Sequence, residues 1–493
     1  MRKTVPYEPR RWAGNWRLLP VVCLLLVGIS WGQTSQTPTS PKTPQGAVPA
    51  PQEKKISPKE AEELFRSVDE ILAFVSKDTE LPIEHPVKRQ LVGRDQVVAY
   101  LQKNMSEDKG AKRLQRSELV LKKFGLLPRD FDLQSFLVAL LREQVAGYYD
   151  PKTKTVNLLD WLDAEQQKPV LAHELTHALQ DQSFNLEKWM KAGDKDLDEI
   201  KDPTPEDFES DEIGEAREGV VEGQAMVTLV DYMLAPLGKS MLTSPELTEV
   251  LKKGMVEGTA DSPEFKNAPV FLQEMLTFPY RYGLDFEAVL LQNGGKEKAF
   301  SGVFKSPPFN TRQVMEPKAY LSGERIEPMQ LPDFKHDFKD YERFDIGAMG
   351  EFDVSVLVDQ YASREISGKI YPQWRGGYYY AVRPKGEATA PLGILYFSRW
   401  ADAESAGKFA AIYAKSLLQR YKQVHQAHDV QEVDEKPIDL QTLAILTGSH
   451  SWLTEEGTAE ICVDRNEVFV VESLDQPTVD RLKQELLPSG VAK

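Results

Sequence analysis

The feature that most restricts how this chain can fold is one short segment, His173-Glu174-Leu175-Thr176-His177. In a helix of about 3.6 residues per turn, residues four apart lie one above the other on the same face. The two imidazoles can therefore share one metal ion. A zinc site in a hydrolase takes three protein ligands and keeps a fourth position open, so another element must pack against this face and supply the third ligand.

The surrounding helix is predicted to run from about Ala164 to Phe184. Its apolar positions form one stripe, with the two histidines on the opposite face; the stripe is Leu171, Leu175, Ala178 and Leu179. Histidine occupies only 7 of 493 positions, and such a motif would arise by chance in roughly one such chain in a hundred. Solvated surface histidines are the competing interpretation. A predicted β-hairpin over residues 147–159, directly before the helix, favours the metal site.

Glu174 lies next to the two histidines, where its carboxylate can reach a water molecule on the metal without binding the metal itself. Zinc lowers the pKa of such a water toward ~7, and the carboxylate can take its proton as the water attacks a polarised carbonyl. The segment therefore predicts hydrolytic chemistry, with His173 and His177 as zinc ligands and Glu174 as the general base.

The third ligand is predicted to come from a second long helix, from Ile213 to about Leu234. Glu222 is the preferred candidate because the small residues Gly223 and Ala225 would let this helix approach the first one closely. Glu218, one turn earlier, is the alternative ligand, or else accepts a hydrogen bond from a ligand's other ring nitrogen. Asp181, one turn beyond His177, is a second candidate for that accepting role.

The rest of the sequence predicts several regions of different character. Basic residues followed by an apolar run indicate a signal peptide over residues 1–32, and a Pro/Thr/Ser-rich flexible linker follows over 33–56. Ser57, Pro58 and Glu60 have the pattern of a helix start. Residues 57–330 form a mainly helical domain with a small hairpin, its N-terminal helical part being 57–130, and residues 340–493 form a C-terminal α+β domain. The predicted fold class is α+β.

Charge and targeting limit the partners. The formal net charge of −16 becomes more negative once the basic N-terminus is removed, and such a chain repels nucleic acid and anionic lipid. The expected location is exported, periplasmic or extracellular, with membrane attachment only through an uncleaved signal. The oligomeric state is left open.

Several motifs together resemble a group of exported bacterial gluzincins, the thermolysin-like class of zinc peptidases. The zinc helix reads His173-Glu174-Leu175-Thr176-His177-Ala178-Leu179-Gln180-Asp181-Gln182. A ligand helix of the form VEG-x-A is matched by residues 221–225, a Phe-Pro-Tyr segment by 278–280, and a Pro-Pro-x-x-Thr segment by 307–311. The resemblance covers roughly residues 130–325.

The resemblance implies a zincin-type catalytic domain with His173, His177 and Glu222 as ligands and Glu174 as base. The chain departs from thermolysin in two respects: Glu222 follows His177 by 45 residues, and no downstream histidine is placed to assist the developing oxyanion. Tyr280 or, as a weaker candidate, Tyr282 could donate that hydrogen bond. The competing interpretation is that both are core aromatic residues.

The expected function is hydrolysis of peptide bonds in peptide or protein substrates, with an endopeptidase favoured over an aminopeptidase. The alternative is a non-catalytic or latent zincin-fold binding or scaffold protein of the cell envelope. The strand Val156–Leu159 could pair with an extended substrate, although ordinary sheet pairing competes with this role. Residues Trp374–Tyr380 are predicted to form a β-turn between aromatic-rich strands, with a recognition patch on the C-terminal domain as the alternative.

Overall fold

The computed structural model describes residues 55–105, 108–192, 200–247, 263–427 and 439–487, together with Leu197 and Val250. The predicted signal peptide and nearly all of the predicted linker lie outside these ranges. The fold is α+β, as the sequence predicted. Within the described ranges, no helix is long and apolar enough to cross a bilayer.

The part of the chain before residue 325 is mostly helical and includes one small sheet. Its first seven helices are α1 (Pro58–Thr79), α2 (Arg94–Met105), α3 (Asp108–Phe124), α4 (Leu133–Gln144), α5 (Ala164–Phe184), α6 (Leu186–Lys191) and α7 (Pro205–Leu234). They are followed by α8 (Pro263–Lys266), α9 (Val270–Phe278), a π-turn (Pro279–Gly283), α10 (Leu284–Glu297), a second π-turn (Lys298–Gly302), α11 (Val303–Lys305), α12 (Thr311–Met315) and α13 (Pro317–Ser322). The small sheet contains β1 (Lys88–Val92), β2 (Tyr148–Asp150) and β3 (Thr155–Leu159).

The C-terminal part is built on a seven-stranded antiparallel sheet. Its strands are β4 (Tyr341–Ala348), β5 (Trp374–Pro384), β6 (Gly393–Trp400), β7 (Val424–Gln426), β8 (Gly448–Thr454), β9 (Gly457–Asp464) and β10 (Glu467–Glu472), in the order β4-β5-β6-β10-β9-β8-β7. Its helices are α14 (Phe334–Asp337), α15 (Glu351–Tyr361), α16 (Arg364–Ile370), α17 (Ala403–Arg420) and α18 (Gln476–Leu486).

The predicted hairpin is present, but the strand expected to receive substrate lies in the middle of its sheet. β3 pairs antiparallel with β2 and parallel with β1, which gives the strand order β1-β3-β2. β1 therefore occupies one edge of residues 155–159, and β2 occupies the other edge at residues 155–157. Pairing of β3 with an extended peptide was the wrong prediction, and ordinary sheet pairing is what the structure shows.

Helix α1 is a structural partner of α5. Ser57 and Glu60 form the predicted capping box, and one apolar face of α1 packs on the stripe of α5 in a cluster that also holds β-strand residues; its members include Leu64, Val68, Ile71, Leu72, Val75, Leu171, Leu175, Ala178 and Leu179. Because α1 covers the side of α5 that carries this stripe, it completes the core around α5.

Two other local predictions were wrong. Helix α7 begins at Pro205, eight residues before the predicted start, because Thr204 and Asp207 form a capping box and Pro205 occupies the first turn. Residues 374–380 belong to the continuous strand β5, with a register shift between Trp374 and Gly377 where Gly376 adopts a φ of 134°. The aromatic run therefore contains a bulge and no turn.

The helical part and the C-terminal sheet share one packed core, which extends from β1 and α3 to β10. Polar contacts also join them. Lys123 of α3 pairs with Glu456 at 2.9 Å, and Arg420 of α17 donates to the Lys123 carbonyl at 2.7 Å. Buried Arg312 pairs with Glu351 at 2.6 Å. The predicted boundary at 330–340 therefore lies between two regions that are packed against each other.

Candidate metal centre

Helix α5 brings the predicted motif into the centre of the helical region. Asp163 caps its N-terminus by accepting hydrogen bonds from the amides of Glu165 and Gln166. All residues from Val170 to Asp181 are buried. The apolar stripe is covered by α1 and the small sheet, and α7 packs along the helix as well, as the prediction of a third ligand required.

His173, His177 and Glu222 converge as predicted. The Nε2 atom of His173 lies 3.1 Å from Glu222 Oε2, and the Nε2 atom of His177 lies 3.6 Å from Glu222 Oε1. One ligand atom from each residue lies within 4.8 Å of the other two, and all three residues are buried. Among the residues that the structure describes, this is the one group of histidine, cysteine and carboxylate side chains with metal-binding spacing.

This spacing fits a tetrahedral zinc ion. Ligand atoms about 2.1 Å from a common ion, at tetrahedral angles, lie roughly 3.4 Å apart. The two nitrogen–oxygen distances, which run to different oxygens of the Glu222 carboxylate, are 3.1 and 3.6 Å and lie close to that value. Two imidazoles and a carboxylate are also a donor set that zinc accepts in catalytic sites. The residues present therefore fit the ion that the sequence implied.

The electrostatics of the group are dominated by the contact between ring and carboxylate. Burial disfavours the charged form of His177, but the Glu222 carboxylate outweighs it and raises the pKa of His177 to about 9. Burial likewise opposes ionisation of Glu222, and the two histidines hold its pKa well below the usual range. The carboxylate is therefore ionised at neutral pH, as a metal ligand must be.

Glu174 is held by the hairpin. The backbone amide of Tyr149, in β2, donates to Glu174 Oε2 at 2.7 Å, and the Glu174 side chain is buried. The hydrogen bond fixes the direction of the carboxylate on the helix that carries His173 and His177, and a general base needs such a fixed position. Tyr149 was not singled out in the sequence, because a backbone donor leaves no mark on the residue type.

Asp181 lies in a different environment from the one predicted. Its carboxylate accepts hydrogen bonds from Tyr149 Oη at 2.7 Å, from Lys154 Nζ at 2.6 Å and from the Leu186 amide at 3.2 Å. These contacts fasten the end of α5 to the hairpin and to α6. Since Tyr149 also binds Glu174 through its amide, Asp181 supports the position of Glu174 through Tyr149.

Glu218 lies one turn before Glu222 on α7 and is half-buried. It is not part of the group with metal-binding spacing, which contains Glu222 as its carboxylate. The geometry therefore favours Glu222 over the alternative ligand. Glu218 makes further contacts within the chain.

The two tyrosine candidates, Tyr280 and Tyr282, both lie in the π-turn Pro279–Gly283, which packs on α7. Tyr282 packs against Phe278 and lies beneath the Arg281 guanidinium. Burial raises the pKa of Tyr282 well above its usual value, although the Arg281 guanidinium acts in the opposite direction. Tyr280 is half-buried against the core. Both positions agree with the competing interpretation of core aromatic residues, and the oxyanion role of Tyr280 stays a prediction.

The sequence motifs outside α5 position α7. Phe278 packs against Gly219, and Thr311 Oγ1 donates to Glu212 at 3.0 Å while accepting from the Phe352 amide at 3.3 Å. Both motifs therefore hold the helix that carries Glu222. Gly223 also helps to position α7, but it was predicted to face α5. It faces Gly283 instead, in the π-turn that follows α9.

Replacing Gly223 with alanine is expected to destabilise the protein by on the order of 1–3 kcal/mol, because the new methyl group would overlap backbone. A Cβ atom there would lie 2.5 Å from the carbonyl carbon of Gly283. The matched control is Gly368→Ala in α16, where a Cβ meets nothing within 4 Å; it should raise stability slightly. Chemical denaturation measures both. Equal effects of the two substitutions would contradict the close approach.

Two glutamines were missed in the sequence. Gln180 Oε1 lies 2.9 Å from His177 Nδ1, and Gln180 Nε2 lies 2.9 Å from Gln224 Oε1. Gln180 follows His177 by three residues, so helical spacing alone could have placed it beside the ring. Gln224 could not have been found in this way, because its role depends on how α7 packs against α5.

Comparisons of the chain with models of protein families, with curated proteins and with solved structures give no match.

Proposed function

We propose that this chain is an exported zinc-dependent metallopeptidase of the gluzincin type that hydrolyses peptide bonds. The observation that carries the proposal is the convergence of His173, His177 and Glu222 within 4.8 Å, with Glu174 on the same helix and fixed by the Tyr149 amide. The resemblance of the motifs to exported gluzincins supports the same function. The predicted signal peptide over residues 1–32 supports export.

His173, His177 and Glu222 would hold the zinc ion. When bound, zinc supplies Lewis acidity for the substrate carbonyl and lowers the pKa of water toward ~7. Glu174 takes the proton of the attacking water and passes it to the nitrogen of the leaving amine. The Tyr149 amide keeps the base in place during both transfers. Donation to the developing oxyanion is assigned to Tyr280 as a hypothesis.

The alternative is a latent or non-catalytic zincin-fold protein of the cell envelope. The observation in its favour is the depth of the centre, because His173, Glu174, His177 and Glu222 are at most 4 % exposed. A peptide substrate can reach these side chains only if part of the surrounding chain moves. The geometry of Glu174 favours the peptidase, since a site that only binds metal has no need of a fixed carboxylate beside the ligands.

The experiment is digestion of a peptide library and of casein by the mature chain, residues 33–493, with products mapped by mass spectrometry. Protein stripped by a chelator is compared with the same protein titrated with zinc. We expect cleavage to appear with zinc and to level off at about one zinc per chain. Internal cuts indicate an endopeptidase, and stepwise loss of N-terminal residues indicates an aminopeptidase. A stoichiometrically loaded protein that cuts nothing, before or after limited proteolysis, favours the scaffold alternative.

A further inference from the structure

A row of hydrogen bonds through two buried glutamine side chains connects the candidate metal centre to the protein interior. It begins at His177 Nδ1, continues through the side chains of Gln180 and Gln224, and ends at the carbonyl groups of Ala299 and Phe300. Gln180 and Gln224 are both fully buried. Gln180 also reaches the carbonyl of Val221, the residue before Glu222, at 3.0 Å.

We propose that Gln180 and Gln224 are positioning residues that fix the tautomer of His177 and set the spacing between α5 and α7. The proposal deepens the metal centre proposed above and rests on it. Neither residue belongs to the predicted ligand set, and both act through His177 or Glu222.

The direction of every hydrogen bond in the row follows from its far end. Backbone carbonyls only accept, so the group of Gln224 that faces Ala299 and Phe300, at 2.7 and 3.1 Å, is its NH₂ group. The oxygen of Gln224 therefore faces Gln180. Gln180 must then present its own NH₂ group to Gln224 and to the Val221 carbonyl, which leaves its oxygen facing His177.

An oxygen at this position requires a proton on His177 Nδ1. The neutral ring then carries its lone pair on Nε2, the atom that faces Glu222. A ring nitrogen must present that lone pair to bind a metal, and the hydrogen bond at the other nitrogen determines which one does so. The two glutamines thus favour the neutral tautomer of His177 that binds a metal ion through Nε2.

A neutral amide suits this position better than a carboxylate does. Glu174 and Glu222 already place two carboxylates in a buried site, and a third charge beside His177 would be costly to desolvate. Gln180 also donates two hydrogen bonds toward α7, which a carboxylate cannot do. Its bond to Val221 ties α5 to the turn of α7 that carries Glu222, so ring orientation and ligand spacing are fixed by one side chain.

The test measures zinc affinity by competition with a chromophoric chelator, for Gln180→Leu, Gln224→Leu and the double variant. We expect Gln180→Leu to weaken zinc binding by about 10- to 100-fold, as for loss of an outer partner. The double variant should be no weaker than Gln180→Leu, since the residues act in series. The matched control is Gln182→Leu on the same helix, whose amide binds the backbone of Glu84 and His85 and not the ring of His173 or His177.

Nitrogen NMR of histidine in the zinc-loaded wild type gives a readout that needs no variant to fold. The proposal expects a proton on His177 Nδ1 and zinc on Nε2. The reverse tautomer overturns it, as does wild-type affinity in a folded Gln180→Leu protein. A wild type that binds no zinc overturns the metal centre itself. Zinc binding without peptide cleavage contradicts only the proposed peptidase activity and leaves the roles of Gln180 and Gln224 intact.

Discussion

Replacing Glu174 with glutamine is expected to lower kcat for peptide cleavage by about 10²- to 10⁴-fold, the typical contribution of a general base. The amide keeps nearly the same size and can still accept the hydrogen bond from Tyr149 through its oxygen, but it cannot take a proton from water. Zinc content should stay at about one per chain, because Glu174 is not one of the ligands. Kinetics and elemental analysis on the same preparation measure both quantities.

Glu165→Gln is the matched control for this variant. Glu165 lies in the first turn of the same helix, pairs with Lys168 and is mostly exposed. The control should cleave peptides at the wild-type rate. Undiminished cleavage by Glu174→Gln would show that another group moves the proton, and loss of its zinc would show that Glu174 has a structural role.

Replacing Glu222 with alanine is expected to remove zinc almost completely. Within the described part of the chain, Glu222 is the carboxylate in the group with metal-binding spacing, so its loss leaves two imidazoles. The fall in affinity should exceed the ~10- to 100-fold effect of losing an outer hydrogen-bond partner. Chelator competition and elemental analysis after dialysis measure it. Peptide cleavage should disappear together with the metal.

Glu218→Ala separates the two carboxylates considered for this role. It lies on the same helix one turn earlier, so it tests general disturbance of α7 as well as the alternative ligand. We expect it to retain stoichiometric zinc. If Glu218→Ala loses zinc while Glu222→Ala keeps it, the third ligand has been assigned to the wrong residue.

The sequence predicted the local parts of the fold well. The start of α1 was readable from Ser57 and Glu60, and the limits of α5 from apolar spacing, because both depend on neighbouring residues in the chain. The hairpin before α5 was readable for the same reason. The two histidines also follow from local geometry, since a helix fixes the relation between residues four apart.

The contacts that could not be predicted from the sequence join elements that are far apart in the chain. β1 occupies the second edge of β3, and Gly223 meets Gly283, and both pairings join segments about 60 residues apart or more in the chain. The Gln180–Gln224 contact has the same origin. Polar residues in such positions resemble exposed ones in sequence, and only packing shows that they are buried. Glu222 was chosen because the small residues Gly223 and Ala225 follow it on a second long helix, and the resemblance to a known ligand helix pointed to the same residue.

The central claim is that α5 and α7 together form a zinc site, and anomalous diffraction at the zinc edge from crystals of the zinc-loaded protein tests it most directly. The measurement does not depend on whether the isolated protein is active or latent. One strong peak is expected at bonding distance, about 2.0–2.2 Å, from His173 Nε2, His177 Nε2 and the Glu222 carboxylate. A peak bound to other residues, or none here at full zinc loading, would contradict it.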